Sequence, residues 1–324
     1  MKISIAMATY NGAQYLKAQL QSLIDQTCQP DEVIITDDCS TDQTETIVRE
    51  FAKKAPFKVE FFRNEKNLGY CGNFNTALMK TSGDLVFLCD QDDVWFPDKI
   101  EHMVGVAERN PEALVVMNDA ALTDGNLNEV GLTKVGQIHS AGMTMQAFVM
   151  GCCCGIRREL LDLCMPIPAE FKAHDNWIVE FADALGGKLI DYRVLQFYRR
   201  HESNESQFIA NRTTKINRTQ AFIHSVKQLF NGDIRQKEKE QVEQLKIFVG
   251  GIRQVLTTAP ATYQVPLGKI RVIKEARIEN LLQRIAIRQK WILPRIAAAF
   301  ELLAKGGYRE TSGVKAILRD LAGM

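Results

Sequence analysis

The sequence predicts an α/β fold with a mainly parallel central sheet flanked by helices, and three observations carry that prediction. Short apolar runs alternate with segments of helical spacing through the first third of the chain. The runs end in polar clusters. One of them, Leu85 to Cys89, delivers three aspartates within four positions, Asp90, Asp92 and Asp93. Alternating strands and helices pack as parallel strands joined by crossovers, and ligands of such sheets bind beyond the carboxyl ends of the strands.

Ile3 to Met7 reads as the first strand, and Tyr10-Asn11-Gly12 as a turn into a helix whose Tyr15, Leu16, Leu20, Leu23 and Ile24 recur at helical spacing. Val33 to Thr36 is the second strand. It ends at Asp37-Asp38, after which Ser40 or Thr41 can cap a helix through Phe51, with Glu45 reinforcing its first turn. Val59 to Phe62 is a third strand, followed by the loop Asn64 to Gly69 and a helix over Gly72 to Lys80. Ser82-Gly83-Asp84 then turns the chain into the aspartate-tipped strand. A further strand, Ala113 to Met117, is expected to end at Asn118 and Asp119. From about Thr123 glycines punctuate a polar stretch that reads as loops or short strands. Helices resume at Arg158 to Cys164 and Asp175 to Leu185, before a strand over Lys188 to Tyr198 that leads into Arg199-Arg200-His201. The composition changes after Glu202-Ser203-Asn204, and residues 206–324 are expected to be mainly helical, with a break at Thr257 to Pro266.

Crowded carboxylates at the end of a buried strand repel one another, so the acidic tip calls for a cation. Hard oxygen ligands suit Mn²⁺ or Mg²⁺ held jointly with a phosphate-bearing substrate. The rest of the composition is ordinary: 46% apolar, 24% charged and a formal net charge of +1 make no whole-molecule case for nucleic acid. None of the eight cysteines has zinc-site spacing, and the adjacent Cys152, Cys153 and Cys154 fit reduced thiols in a cytoplasmic protein. The start, MKISIAMATYNG, has no secretory pattern. The longest uncharged apolar stretch, Ala147 to Ile156, is too short to span a bilayer.

Taken in order, these motifs resemble the inverting family 2 glycosyltransferases with the GT-A fold. The likeness rests on Thr9-Tyr10-Asn11 through Ser22-Leu23-Ile24-Asp25-Gln26-Thr27, on Asp37-Asp38-Cys39-Ser40-Thr41-Asp42, on Asn67-Leu68-Gly69 and on Asp90-Gln91-Asp92 as a D-x-D signature. The wording DQDDVW, with Asn73-Phe74 before it and Gly307-Tyr308 through Asp320-Leu321 at the end, looks like a branch that includes bacterial rhamnosyltransferases. It covers residues 1–205 well, which implies a GT-A domain there, with a nucleotide-sugar half over 1–120 and an acceptor half over 121–205.

The resemblance implies a role for each site residue. Asp92 would bind the metal directly, Asp90 through water or while holding the donor ribose, and His201 would join them at the metal or diphosphate. Asp93 either caps the next helix or orients the ligand shell. Tyr10 offers a ring face to a pyrimidine, the Asp38 carboxylate can accept the imide N–H that uracil and thymine share, and Ala8 and Thr9 complete the base pocket. Asn11, Asn67, Asn73 and Gln91 join the nucleotide-sugar site, and Arg199 or Arg200, Arg200 by preference, would pair with the diphosphate. Asp37 is the more structural of its pair. Asp175, at a helix start where His174 replaces the usual glutamate, is the implied base for the acceptor hydroxyl. Trp95, Gly151, Cys152, Asn176 and Trp177 fall on the acceptor side.

The implied reaction moves a sugar from a UDP- or dTDP-sugar to a saccharide or lipid-linked acceptor in surface polysaccharide synthesis. Two alternatives compete: a sugar-nucleotide pyrophosphorylase, which would carry a Gly-rich phosphate loop that Ala6 to Asn11 lacks, and a non-catalytic binding protein on the same scaffold. In the C-terminal third, Lys269 to Asp320 holds twelve Lys or Arg against five Asp or Glu among apolar residues at roughly helical spacing. Such helices could pack on the catalytic domain or in a homodimer, or rest peripherally on an anionic cytoplasmic leaflet.

Overall fold

A computed structural model describes residues 1–201, 204, 208–230, 234–308 and 313–323; Glu202, Ser203 and the stretch 309–312 lie outside the described residues. The chain divides into two compact units, Met1–His224 and Ser225–Met324.

The first unit is built on one sheet. Strands β1 (Ile3–Thr9), β2 (Glu32–Asp37), β3 (Lys58–Arg63) and β4 (Leu85–Cys89) lie parallel in the order β3-β2-β1-β4, with Thr9 beside Asp37 and Asp37 beside Arg63. Their carboxyl ends therefore share one edge, as the alternating pattern predicts. Helices α1 (Leu16–Ile24), α2 (Thr44–Ala52) and α3 (Gly69–Leu78) make the crossovers. Ile5, Met7, Val33, Ile35 and Phe87 from the strands pack with Leu16, Leu20, Leu23 and Val48 from the helices. Each such buried side chain contributes roughly 1.5–3 kcal/mol.

Past β4 the sheet becomes mixed. A short β5 (Val94–Trp95) precedes α4 (Lys99–Arg109), and β6 (Val115–Thr123), β7 (Glu129–Thr133), α5 (Lys134–Ser140), β8 (Cys154–Arg157), α6 (Arg158–Cys164), α7 (His174–Ala184) and β9 (Lys188–Arg199) follow. Beyond β4 the order continues β8-β6-β9-β5, where β8 is antiparallel to both β4 and β6, β9 is parallel to β6, and β7 pairs antiparallel with β6.

Three differences from the sequence reading have physical causes. Helix α2 starts at Thr44 rather than at the Ser40-Thr41 cap, because the Asp37 carboxylate accepts both Ser40 N–H and Ser40 Oγ–H, and the Asp42 carboxylate takes Thr44 N–H at 3.0 Å. Asn118 and Asp119 do not end β6 but run buried through it; Asp119 Oδ1 accepts Ala120 N–H and, at the start of α5, Val135 N–H at 2.9 Å. The first unit extends past 205, because Ile209, Ile216 and Ala221 bury themselves with Ala141.

The second unit is helical. Helix α8 (Arg218–Phe230) runs across the division, and α9 (Ile234–Val255), α10 (Ala261–Arg288), α11 (Ile292–Ala304) and α12 (Val314–Ala322) follow. Val242, Leu245 and Leu281 form one small core, and Ile287, Ala299, Leu302, Tyr308 and Ala316 another. A buried ionic cluster accompanies them: Arg284 Nε donates to Asp320 Oδ2 at 2.8 Å, Tyr308 donates to the same oxygen, and Arg288 pairs with Glu238. Pro266 sits within α10 near its start, where the expected break over Thr257 to Pro266 narrows to the short link between α9 and α10.

Candidate active site

The ends of β1 and β2 are tied into one rigid shelf. Thr9 Oγ1 donates to Asp37 Oδ1 at 3.0 Å, and the Arg63 guanidinium closes on Asp37 Oδ2 at 3.2 Å. Asp37 is thereby committed to structure. Its neighbour Asp38 is buried too, but only Oδ1 is occupied, by Asn64 Nδ2 at 3.0 Å and Leu68 N–H at 2.8 Å. Among the described residues no hydrogen bond goes to Asp38 Oδ2, which leaves an acceptor at the shelf. Asn67 Nδ2 reaches the Asp38 carbonyl, and Asn11, with φ +45°, accepts Thr41 N–H at 2.8 Å. Tyr10, half exposed, projects from this shelf.

A clasp joins that shelf to the acidic tip. The Gln91 side-chain amide donates to Tyr10 C=O and accepts from Tyr10 N–H, both at 3.0 Å, as a strand neighbour would. It lies directly over Gly12, where an added Cβ would fall 2.2 Å from Gln91 Oε1. Glycine there makes room for the clasp.

In the acidic tip the three carboxylates divide. Asp92 Oδ2 meets His201 Nε2 at 2.8 Å and accepts from Asn204 Nδ2 at 3.1 Å. His201 stacks on Tyr15 at 4.7 Å, and the Arg199 guanidinium lies 4.5 Å over the same ring. Asp93 is fully buried, accepting from Gln196 Nε2 at 2.9 Å and Arg199 N–H at 3.3 Å. Asp90 stands between: burial first, then the charges of Asp92 and Asp175, push its carboxyl up to about 7. Burial first, then the charges of Asp92 and Asp90, hold Asp93 well above the usual carboxylate range. Carboxylates crowded in this way favour a divalent cation, whose charge replaces their mutual repulsion with attraction.

Asp90, Asp93 and Cys152 can bring one ligand atom each within 4.8 Å of one another. Burial keeps the Cys152 thiol protonated, so it is a poor partner for a hard ion. Beneath them Lys99, wholly buried, donates to the Cys152 carbonyl at 2.7 Å and to Gln196 Oε1, and its ammonium lies 4.0 Å over the Trp95 ring. Nothing in the sequence pattern distinguishes Lys99 from a surface lysine at a helix start. Gln196 and Tyr15 likewise look like ordinary strand and helix residues until the fold brings them to the tip.

Asp175 opens the N-terminal turn of α7, on the far side of Gly151, whose added Cβ would lie 3.5 Å from Asp175 Cβ and 2.9 Å from His174 Nε2. Its charge is felt at Asp90. His174 stacks on Phe74 at 4.1 Å, neither ring nitrogen has a hydrogen bond among the described residues, and burial pushes the imidazole down, so it stays neutral. Asp175 thus faces the acidic tip without a competing cation on its own turn.

Several expected contacts move. Trp95 is in the core against Phe87 and Lys99, and Trp177 is buried between Phe171 and Phe181 with its Nε1–H on the Cys164 carbonyl at 2.8 Å, so neither is an acceptor-side surface. Strand alternation turns Trp95 inward, and the helical period of α7 does the same for Trp177. Asn73 is buried and holds Thr9 C=O and Asn64 at 3.0 Å, which makes it a support of the shelf rather than a sugar contact. Arg199 is spent on the Asp92 and Gly125 carbonyls, leaving Arg200, whose guanidinium meets Tyr198 Oη at 3.2 Å, as the half-buried arginine at the strand end. Cys152 belongs with the acidic tip, whereas Asn176 is exposed beside Asp175. None of the eight cysteines is in a disulfide.

Residues 4–163 match the family described as Glycosyl transferase family 2. The chain carries a family 2 glycosyltransferase domain. Over 243 residues, 71% of its length, the glycosyltransferase is 28% identical to an uncharacterized glycosyltransferase of Nostoc sp., 75% of which is covered. It is 28% identical over 220 residues to the dTDP-rhamnosyl transferase RfbG of Shigella flexneri, spanning 61% of this chain and 73% of RfbG. Its fold is that of S. aureus TarS 1–349, solved in complex with UDP, with a TM-score of 0.55 at 18% identity over 97% of this chain and 95% of the other. The TarS likeness assigns the mixed α/β sheet of this glycosyltransferase to the GT-A fold.

Proposed function

We propose that this glycosyltransferase moves a sugar, with inversion, from a UDP- or dTDP-sugar to a saccharide or lipid-linked acceptor in surface polysaccharide synthesis. The observation that carries the reading is one continuous edge: a base shelf at Tyr10 and Asp38, the acidic tip at Asp90 and Asp92, and Asp175 across Gly151. Asp38 Oδ2 accepts the imide N–H of uracil or thymine, and the dTDP donor in the name of RfbG supports a pyrimidine.

Asp92, Asp90 and His201 would hold Mn²⁺ or Mg²⁺, with Asp93 and Gln196 fixing the loop behind them. An ion bound there would supply Lewis-acid stabilisation to the departing diphosphate. Arg200 adds positive charge at the same end. Asp175 takes the proton from the acceptor hydroxyl as that oxygen attacks the anomeric carbon opposite the diphosphate, so one carboxylate suffices. Reduced thiols throughout the chain support a cytoplasmic site of action.

The test is transfer and donor hydrolysis across UDP-, dTDP- and GDP-sugars with Mn²⁺, in the parent protein and in Asp175→Asn. Asp175→Asn should lower transfer by about 10²–10⁴-fold while nucleotide affinity is kept. Full activity in that variant removes the base assignment, and turnover indifferent to EDTA removes the metal.

A further inference from the structure

Helix α11 is apolar on its inner face and across most of its outer one. Its inner residues, Ala299 and Leu302, pack with Ile287, Tyr308 and Ala316. Its outer side is largely apolar: Trp291, just before the helix, is 87% exposed, Leu293 79%, Ile292 63% and Phe300 57%, with Ile296 between them. From Trp291 to Ala304 the only charged residues are Arg295 and Glu301. A helix so largely apolar is ordinarily covered, and large side chains grouped on one exposed face mark a surface that binds something.

Charge indicates what covers it. Residues 225–324 hold 18 Lys or Arg against nine Asp or Glu, whereas residues 1–224 hold 22 against 30. The near-neutral whole therefore conceals a strongly basic second unit. Exposed Lys290 and Lys305 bracket the apolar face in sequence. Aromatic and aliphatic side chains with flanking lysines suit the interface of an anionic bilayer, where rings enter the headgroup boundary and cations meet lipid phosphates. A second copy of the same unit would bring like charge against like. Among the described residues no helix is long and apolar enough to cross a membrane, so the contact is interfacial.

We propose that the α11 face formed by Trp291, Ile292, Leu293, Ile296 and Phe300 docks the protein onto an anionic phospholipid surface. This surface shares no residue with the donor site and stands or falls apart from it.

Intrinsic fluorescence reads the contact directly, because Trp95 and Trp177 are buried and Trp291 alone of the three tryptophans is exposed. Full-length protein mixed with phosphatidylcholine–phosphatidylglycerol vesicles should shift its emission to the blue and sediment with them. Binding should be at least about tenfold weaker to pure phosphatidylcholine and in about 0.5 M salt. Ile292→Ser with Phe300→Ser should weaken binding about tenfold or more with circular dichroism unchanged, Lys290→Glu with Lys305→Glu should weaken it on anionic vesicles, and Trp291→Phe should abolish the shift but keep sedimentation. No shift and no sedimentation overturns the proposal. Equal binding to neutral vesicles, or a shift that follows protein concentration without vesicles, overturns it in favour of plain hydrophobic adsorption or self-association.

Discussion

Gly12 and Gln91 show how a binding site can depend on a residue that touches no ligand. The Gln91 amide holds both backbone groups of Tyr10, and it can lie there only because position 12 has no Cβ. The clashing atom is the end of a flexible side chain, so Gly12→Ala should swing Gln91 away at a stability cost of only about 1–2 kcal/mol. Tyr10 then loses its fixed position. Donor KM should rise several-fold with little change in urea midpoint, and Gln91→Ala should reproduce the KM effect without adding to it in the double variant. An unchanged KM in Gly12→Ala would show that the clasp does not position the nucleotide. Asp90, Asp92 and Asp175 could be picked out in the sequence as charged residues at strand and helix ends. Lys99, Gln196 and Tyr15 could not, because their importance lies in partners 53, 103 and 186 positions away.

At the scale of elements, the amino ends of the strands are secured by a different acid. Glu32, buried at the start of β2, accepts Ser4 Oγ–H at 2.6 Å, Ser82 N–H at 2.7 Å and Ser82 Oγ–H at 2.8 Å, so it ties β1, β2 and the turn into β4. Burial works to raise its carboxyl, but those hydrogen bonds outweigh it and hold the group below its ordinary value. A depressed carboxyl stabilises the fold above its unfolded pKa and stops doing so as pH falls through the folded one. Glu32→Gln should therefore cost about 1–3 kcal/mol in urea unfolding at pH 7. The gap between parent and variant should narrow below about pH 4. A gap independent of pH would assign the loss to packing. Elements with strong periodicity were readable along the chain: β1 to β4, α1, α6 and α7 fall within a few residues of their expected bounds. The segment after Thr123 was not, because β7, α5 and β8 take their form from pairing with β6 and from the Asp119 carboxylate rather than from local pattern.

For the molecule as a whole, the two units rest on different physics. The first is a sheet with a large apolar core; the second has small apolar clusters and a buried network of Arg284, Arg288, Glu238, Asp320 and Tyr308. Removing one member of such a network strands its partners in a dry interior. Asp320→Ala should destabilise the second unit by about 3–5 kcal/mol, whereas replacing an exposed pair such as Lys305 and Glu301 should cost less than about 1 kcal/mol. Chemical unfolding followed by far-ultraviolet circular dichroism, which reads the helices of that unit, checks both. If Asp320→Ala leaves unfolding unchanged, the network does not hold the unit together.

Chain order alone determined the parallel half of the sheet, the shared edge of its strand ends and the acidic tip, because two-residue and helical periodicities and the rule for parallel sheets act locally. Tertiary structure decided what each polar residue on that edge is for. Asp37 and Asp38 are adjacent in sequence and alike in chemistry, yet Arg63 and Thr9 saturate one while the other keeps an oxygen with no hydrogen bond among the described residues. Asp92 faces His201 whereas Asp93 faces Gln196. Such differences come from which distant donors the packed chain delivers to each carboxylate, and no local spacing encodes that delivery.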